Sequence, residues 1–126
     1  MKQLLKLTGC LAVAGLFISC QSVQQEANYQ VIPLPQEIVV EQGIPFILKS
    51  GVKILYPEGN EKMQRNAKFL ADYLKTATGE DFTIEAGTEG KNVIILALGT
   101  ENENPEAYQL KVAGDGVTIT GSTEAG

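Results

Sequence analysis

Histidine and tryptophan are absent from the 126 residues, cysteine occurs only twice, and 10 basic side chains face 15 acidic ones. Without histidine there is no Ser-His-Asp or Cys-His nucleophile pair, no His-Glu-x-x-His zinc site and no imidazole base titrating near neutrality. Two cysteines cannot complete a four-ligand zinc site. The shortage of Lys and Arg leaves a formal charge of −5 and a pI near 4.7. Phosphate binding needs clustered bases, and here they are scattered among acids, so no nucleic-acid partner is expected. Nothing in the composition calls for a cofactor or a metal. What is present, 44% apolar and 20% charged residues, describes a small acidic folding chain rather than a disordered one.

The longest apolar stretch is N-terminal. Lys2 and Lys6 precede Leu7 to Ile18, which carries no charge; this is the charged and then apolar pattern of a secretory signal. A bilayer core takes about 20 apolar residues, so the stretch is too short to span. Leu16-Phe17-Ile18-Ser19-Cys20 resembles the box of a bacterial lipoprotein, in which the cysteine becomes the lipid-modified first residue. Leu7-Thr8-Gly9-Cys10 fits the same pattern locally but has few apolar residues ahead of it, so Cys20 is preferred. A plain secretory signal with incidental cysteines is the alternative. Cleavage before Cys20 removes residues 1–19, leaves 107 of 126 residues, and takes the charge from −5 to −7 with the loss of Lys2 and Lys6. No disulfide is then possible. Residues 20–28 read as the lipidated Cys20 and a polar tether, and 29–126 as the folded part. The expected location is the bacterial envelope, periplasm or outer membrane, with the chain held at the membrane by its lipid.

Beyond the tether the pattern is of short strands around one helix. Ile38 to Val40, Phe46 to Leu48 and Val52 to Tyr56 are strand-sized β-branched or aromatic runs parted by Gln42-Gly43 and Ser50-Gly51. Met63, Ala67, Leu70, Leu74 and Ala77 recur on one face of a helix predicted from Asn60 to about Ala77. Asn60 suits its N-cap, Glu61 its first turn and Gly79 its left-handed end. Phe82 to Glu85 alternates, and Val93 to Leu98 is continuously apolar, as a central strand covered on both faces would be. Tyr108 to Val112 and Val117 to Thr120 flank Gly114-Asp115-Gly116 as a hairpin, with Tyr108, Leu110, Val112, Val117 and Ile119 expected to face the core. The fold class implied is α+β, a mostly antiparallel sheet with one helix packed on one face.

Few residues invite a chemical reading, and each has a plainer one. Glu80-Asp81 is an adjacent carboxylate pair, but it follows a helix-ending glycine in a solvated turn, and successive strand residues point apart. Gly114, Gly116 and Gly121 lack the Gly-Lys-Ser/Thr ending of a phosphate loop, and a hairpin turn explains the first two. Asp115 has too few neighbouring oxygen ligands for calcium. Tyr29, Tyr56, Tyr73 and Tyr108 could stack on sugar rings, although partial burial with the hydroxyl at the surface accounts for them. Glu101, Glu103 and Glu106 are a solvated loop. No residue stands out as catalytic, substrate-binding or metal-ligating.

The residues also carry a resemblance. Tyr29-Gln30-Val31-Ile32-Pro33-Leu34-Pro35-Gln36, the helix Asn66 to Leu74 with Thr78-Gly79, and Glu106-Ala107-Tyr108-Gln109-Leu110-Lys111-Val112 with Gly116 to Gly121 look like the N-terminal, non-catalytic domain of bacterial β-N-acetylhexosaminidases, glycoside hydrolase family 20. The Pro-x-Pro entry and the Glu-Ala-Tyr-x-Leu-x-Val hairpin are its most specific parts. The resemblance implies a sheet packing two helices on one face, and a following (β/α)₈ barrel against which those helices rest. It also implies that the barrel carries catalysis through an adjacent Asp-Glu pair and the substrate's own acetamido group. Glu80-Asp81 is reversed in order and in the wrong domain, so no catalytic residue carries over.

The family pattern continues into a second helix where this sequence reaches Ser122-Thr123-Glu124-Ala125-Gly126. The chain is therefore expected to be a fragment, inert by itself. About four large apolar side chains would lie uncovered, each worth roughly 1.5–3 kcal/mol of burial. A domain's total stability is only about 5–15 kcal/mol, so the piece alone should be marginal or aggregation-prone. The function implied is hydrolysis of terminal non-reducing N-acetylhexosamine residues by the whole protein. Two alternatives remain: the leading domain of another glycoside hydrolase of O-GlcNAc hydrolase or α-glucuronidase type, or a stand-alone small lipoprotein binding glycan or protein.

Overall fold

Between a capping asparagine and a left-handed glycine runs the helix that organises the domain. In the computed structural model, which describes residues 28–31, 34–100 and 102–126, α1 spans Glu61–Thr78. The Asn60 side chain accepts the Met63 N–H at 3.0 Å, satisfying one of the orphan donors of the first turn. Gly79 closes the helix at φ 78°, its N–H donating to Lys75 O. That is where an L side chain would be strained and glycine is not. Met63, Ala67 and Ala71 are buried, Leu70 and Leu74 half-buried, and Ala77 is exposed. The inward stripe thus ends one turn earlier than the spacing predicts.

Five strands form one sheet: β1 Lys53–Tyr56, β2 Thr83–Ala86, β3 Val93–Leu98, β4 Tyr108–Ala113 and β5 Gly116–Gly121, in the order β2-β1-β3-β5-β4. The α+β expectation of one helix and a sheet holds, but the sheet is mixed rather than mostly antiparallel. The pairs β1–β2, β1–β3 and β3–β5 are parallel, and only β4–β5 is antiparallel. The reason is connectivity. A helix between β1 and β2 carries the chain back to the end where it started, so β2 must run parallel to β1. The return from β2 to β3 is made by residues 87–92 without a helix. Gly87 donates to Tyr56 O at 2.9 Å, and Gly87 and Gly90 lie over the Leu55 side chain. That crossing is what buries Leu55 on the side away from α1.

β3 lies in the middle of the order, as its apolar run implies, with Val93, Ile94 and Leu96 buried. The core between sheet and helix comprises Val52, Ile54, Met63, Ala67, Ala71, Phe82, Ile94 and Leu96. Ile38 to Val40 and Phe46 to Leu48, expected as strands, form none. Phe46 and Leu48 instead pack against the core as a strap, with the Ile44 carbonyl close to Gly114 in the β4–β5 turn. Two apolar anchors hold this segment in place without a ladder partner.

The chain divides into two units, Met1–Val39 and Val40–Gly126. In the first, Gln30 N–H donates to Asn28 Oδ1 and Val31 N–H to Tyr29 O, each at 2.9 Å. The segment expected as a signal, Cys10, Cys20, most of the expected tether, Ile32-Pro33 and Glu101 lie outside the described residues.

Candidate functional site

Paired residues on neighbouring strands share a face of the sheet, and on the face that carries α1 the burial falls away in steps. One row runs Ile54, Ile94, Val117, Val112 and the next Leu96, Ile119, Leu110. Ile94 is 5% and Leu96 7% exposed; Val117 and Ile119 are half-buried; Val112 and Leu110 are both 58% exposed. A third row ends at Tyr108, also exposed. Geometry explains the gradient. Five strands at about 4.8 Å spacing make a face roughly 19 Å wide, whereas one helix covers about 10 Å. α1 packs on β1 and β2, so β5 and β4 are left open. The side chains expected inward on β4 do share the core's face, but no element among the described residues covers them.

The flank of α1 nearest this open half is defined by a single residue after β5. Glu124 O accepts from Asn66 Nδ2 at 2.8 Å, its Oε1 from Asn60 Nδ2 at 3.4 Å, and its Oε2 lies 3.9 Å from Lys62 Nζ. Tyr73, two turns beyond Asn66 on that flank, is 65% exposed, and Phe69 is exposed beside it. The result is a trough. Val117, Ile119, Leu110 and Val112 form its floor, with Tyr108 at the end of the floor, and the Asn66–Tyr73 flank of α1 forms its wall. It is apolar, about one helix wide, and without buried charge: among the described residues no polar or charged side chain is buried.

The electrostatics are those of a surface. The hydrogen bond that Lys75 donates to the carboxylate of Asp81, and then that residue's charge, raise the Lys75 pKa above its ordinary value. Glu124 is held below its ordinary value by its own backbone N–H, then by Asn60 and Lys62. On the opposite side of the sheet Lys53 and Glu85 pair at 2.7 Å over an open hollow of about 370 Å³, both side chains more than half exposed.

The residues singled out by sequence are not brought together. Glu80 is exposed and its backbone N–H donates to Thr78 Oγ1, while the carboxylate of Asp81 pairs with Lys75 at the end of α1, so the two side chains are engaged separately rather than as a pair. Gly114-Asp115 turns the hairpin, and Asp115 O accepts from Asn92 N–H. Tyr56 packs on the core, apart from Tyr73 and Tyr108. Glu103 and Glu106 are exposed loop residues, and no three metal-binding side chains converge among the described residues. Two residues beside the trough, Asn66 and Glu124, are not marked as functional by the sequence pattern. Asn66 had a readable signal, an indifferent helix former in the middle of a strongly patterned helix; Glu124 had none.

Comparison with known proteins agrees with this architecture. The profile of glycosyl hydrolase family 20, domain 2, matches residues 28–126. The solved β-N-acetylhexosaminidase of Streptomyces coelicolor A3(2) is 32% identical over 78% of this chain, with a TM-score of 0.64. An aspartate-to-alanine variant of Streptomyces plicatus β-hexosaminidase, in complex with its product GlcNAc, is 33% identical over the same share, with a TM-score of 0.67. In each case the chain spans 19% of the length of the solved protein. Among curated proteins no match is found.

Proposed function

The chain belongs to glycosyl hydrolase family 20, as its domain 2, and from that premise we propose that it is the non-catalytic leading domain of an exported β-N-acetylhexosaminidase. The whole protein would remove terminal non-reducing N-acetylhexosamine residues from glycans, with its chemistry in a catalytic barrel beyond Gly126. The role of this part is mechanical. It presents α1 and the open half of its sheet, and a helix from the following chain lies in the trough beside α1.

The observation that carries this reading is the burial gradient from Ile94 and Leu96 to Val112 and Leu110. An apolar surface one helix wide, left open next to a finished half-core, is a surface for packing rather than for substrate. The relatives' length supports a large body beyond it. Lys2, Lys6, the apolar Leu7 to Ile18 and Cys20 support export and lipid anchoring in the bacterial envelope.

Expression of the polypeptide as its gene encodes it, beside residues 28–126 alone, tests the reading with a chromogenic N-acetyl-β-glucosaminide. Hydrolysis by the first and none by the second is expected. A gene product that leaves this substrate intact and cleaves an α-glucuronoside instead would assign the domain to a different hydrolase.

A further inference from the structure

Asparagine is a poorer helix former than alanine, lysine or glutamine, because its amide competes for nearby backbone groups. Asn66 nevertheless stands in the second turn of α1 at an exposed position, where packing demands no particular side chain. Its amide is used elsewhere: Nδ2 donates to the Glu124 carbonyl at 2.8 Å, across 58 residues of sequence. The cap residue shows a similar double use. Asn60 accepts the Met63 N–H through Oδ1 and donates to Glu124 through Nδ2, which an aspartate at the same cap could not do. With Lys62, three side chains from the start of α1 converge on one residue.

The segment they hold is tied on its other side as well. Ser122 N–H donates to Ala107 O at 2.9 Å and Thr123 Oγ1 to Pro105 O at 2.7 Å, both in the loop before β4. Residues 122–124 are thus bridged to two elements that border the trough, α1 and the approach to β4.

We propose that Asn66, assisted by Asn60 and Lys62, latches Glu124 so that the chain leaving β5 is aimed along the trough between α1 and β4. Asn66 and Glu124 are positioning residues. The latch rests on the reading above that a helix follows and fills the trough, and it explains how that helix is started in the right direction: the turn after β5 is fixed before the helix has packed.

The test uses the polypeptide as its gene encodes it, with hydroxyl-radical labelling of Tyr108 as the reporter of trough filling and hydrogen exchange over β3 as the reporter of the fold. In the natural sequence Tyr108 should be labelled several-fold more slowly than in the urea-unfolded chain. In the double variant Asn66→Ala, Glu124→Ala that protection should be largely lost while exchange over β3 stays unchanged. Alanine at 66 favours the helix, so loosening there cannot be ascribed to α1 itself. Unchanged Tyr108 protection in the variant overturns the latch and leaves the helix reading standing. Rapid labelling of Tyr108 in the natural protein overturns both. Lost protection throughout β3 shows that the pair only holds the domain together, and overturns the positioning role.

Discussion

Lys75 Nζ lies 2.5 Å from Asp81 Oδ1, joining the last turn of α1 to the residues that lead into β2. The cation sits where the helix dipole is negative and beside a carboxylate. Its pKa is raised, first by the hydrogen bond to Asp81 and then by that residue's charge. A raised lysine pKa means that the folded state holds the proton more tightly than the unfolded one. The stabilisation is therefore complete below the ordinary value of 10.5 and is lost as pH rises through the folded value. Both side chains are more than half exposed, so the effect is small and salt-sensitive. Lys75→Met should lower the thermal midpoint slightly at neutral pH in low salt, and its difference from the natural protein should vanish in strong alkali.

Ile54 is fully buried where β1 meets α1 and has Ile94 beside it in register. Truncation to alanine removes three heavy atoms from a closed core and should cost about 2–5 kcal/mol. Against a total of about 5–15 kcal/mol that is a large fraction. A clear fall in the urea midpoint is expected for Ile54→Ala, with Ile54→Val costing only about 0.5–1.5 kcal/mol. Equal midpoints for the two variants would show that this row is not the core.

The contrast between Ile54 and Leu110 marks how far local sequence reaches. The caps of α1, the central place of β3 and the β4–β5 hairpin are all local signals, and Asn60, Gly79, the Val93 to Leu98 run and Gly114-Asp115 carry them. Strand direction is not local. That β2 runs parallel to β1 follows from the crossover through α1, and that residues 87–92 return without a helix depends on Gly87 and Gly90 passing over Leu55. Phe46 and Leu48 have strand composition but pair with no strand, and their side chains pack on the core as a strap. Alternation in β4 names the correct face, whereas burial depends on a neighbour, and Leu110 stays exposed for want of one. Asn66 and Glu124 meet only because the residues after β5 reach the first turns of α1.

Glu124, whose carboxylate faces Asn60 and Lys62, gives the same segment a pH dependence. Its carboxylate is favoured by its own backbone N–H, then Asn60 and Lys62, so its folded pKa lies below its ordinary value of 4.5. The contribution is present above that value and fades as pH falls through the depressed one. Hydrogen exchange at residues 122–126 should therefore quicken in acid at a lower pH than ordinary glutamate titration would predict. Glu124→Gln should remove that acid step, and a step that persists in the variant would place its origin in another carboxylate.

Leu110 and Val112 should respond in opposite senses in two settings. Covering their exposed parts is worth about 1–2 kcal/mol each. Leu110→Ser with Val112→Thr should make residues 28–126 alone more soluble, because an open apolar edge strand is an association hazard. In the polypeptide as its gene encodes it, the same changes should lower the thermal midpoint if the proposed helix packs on that surface. Sedimentation of the short chain and calorimetry of the long one measure the two effects. An equal gain in both would mean that nothing covers β4.

Cys20 offers the sharpest test of where the protein resides. Thioether attachment of a diacylglycerol requires that cysteine's sulfur, and about 0.8 kcal/mol per buried methylene makes a multiply acylated terminus a firm anchor. In a bacterial host the natural precursor should take up labelled palmitate and sediment with membranes, and Cys20→Ser should abolish both. Cys10→Ser should leave both intact, because cleavage before Cys20 would carry residue 10 away. Lipid incorporation that survives Cys20→Ser and disappears with Cys10→Ser would move the mature terminus ten residues upstream, placing Leu11 to Ile18 in the mature chain. An apolar stretch of that kind next to the lipid would press the tether against the bilayer, where the polar run from Gln21 to Asn28 would otherwise let the domain stand clear of it.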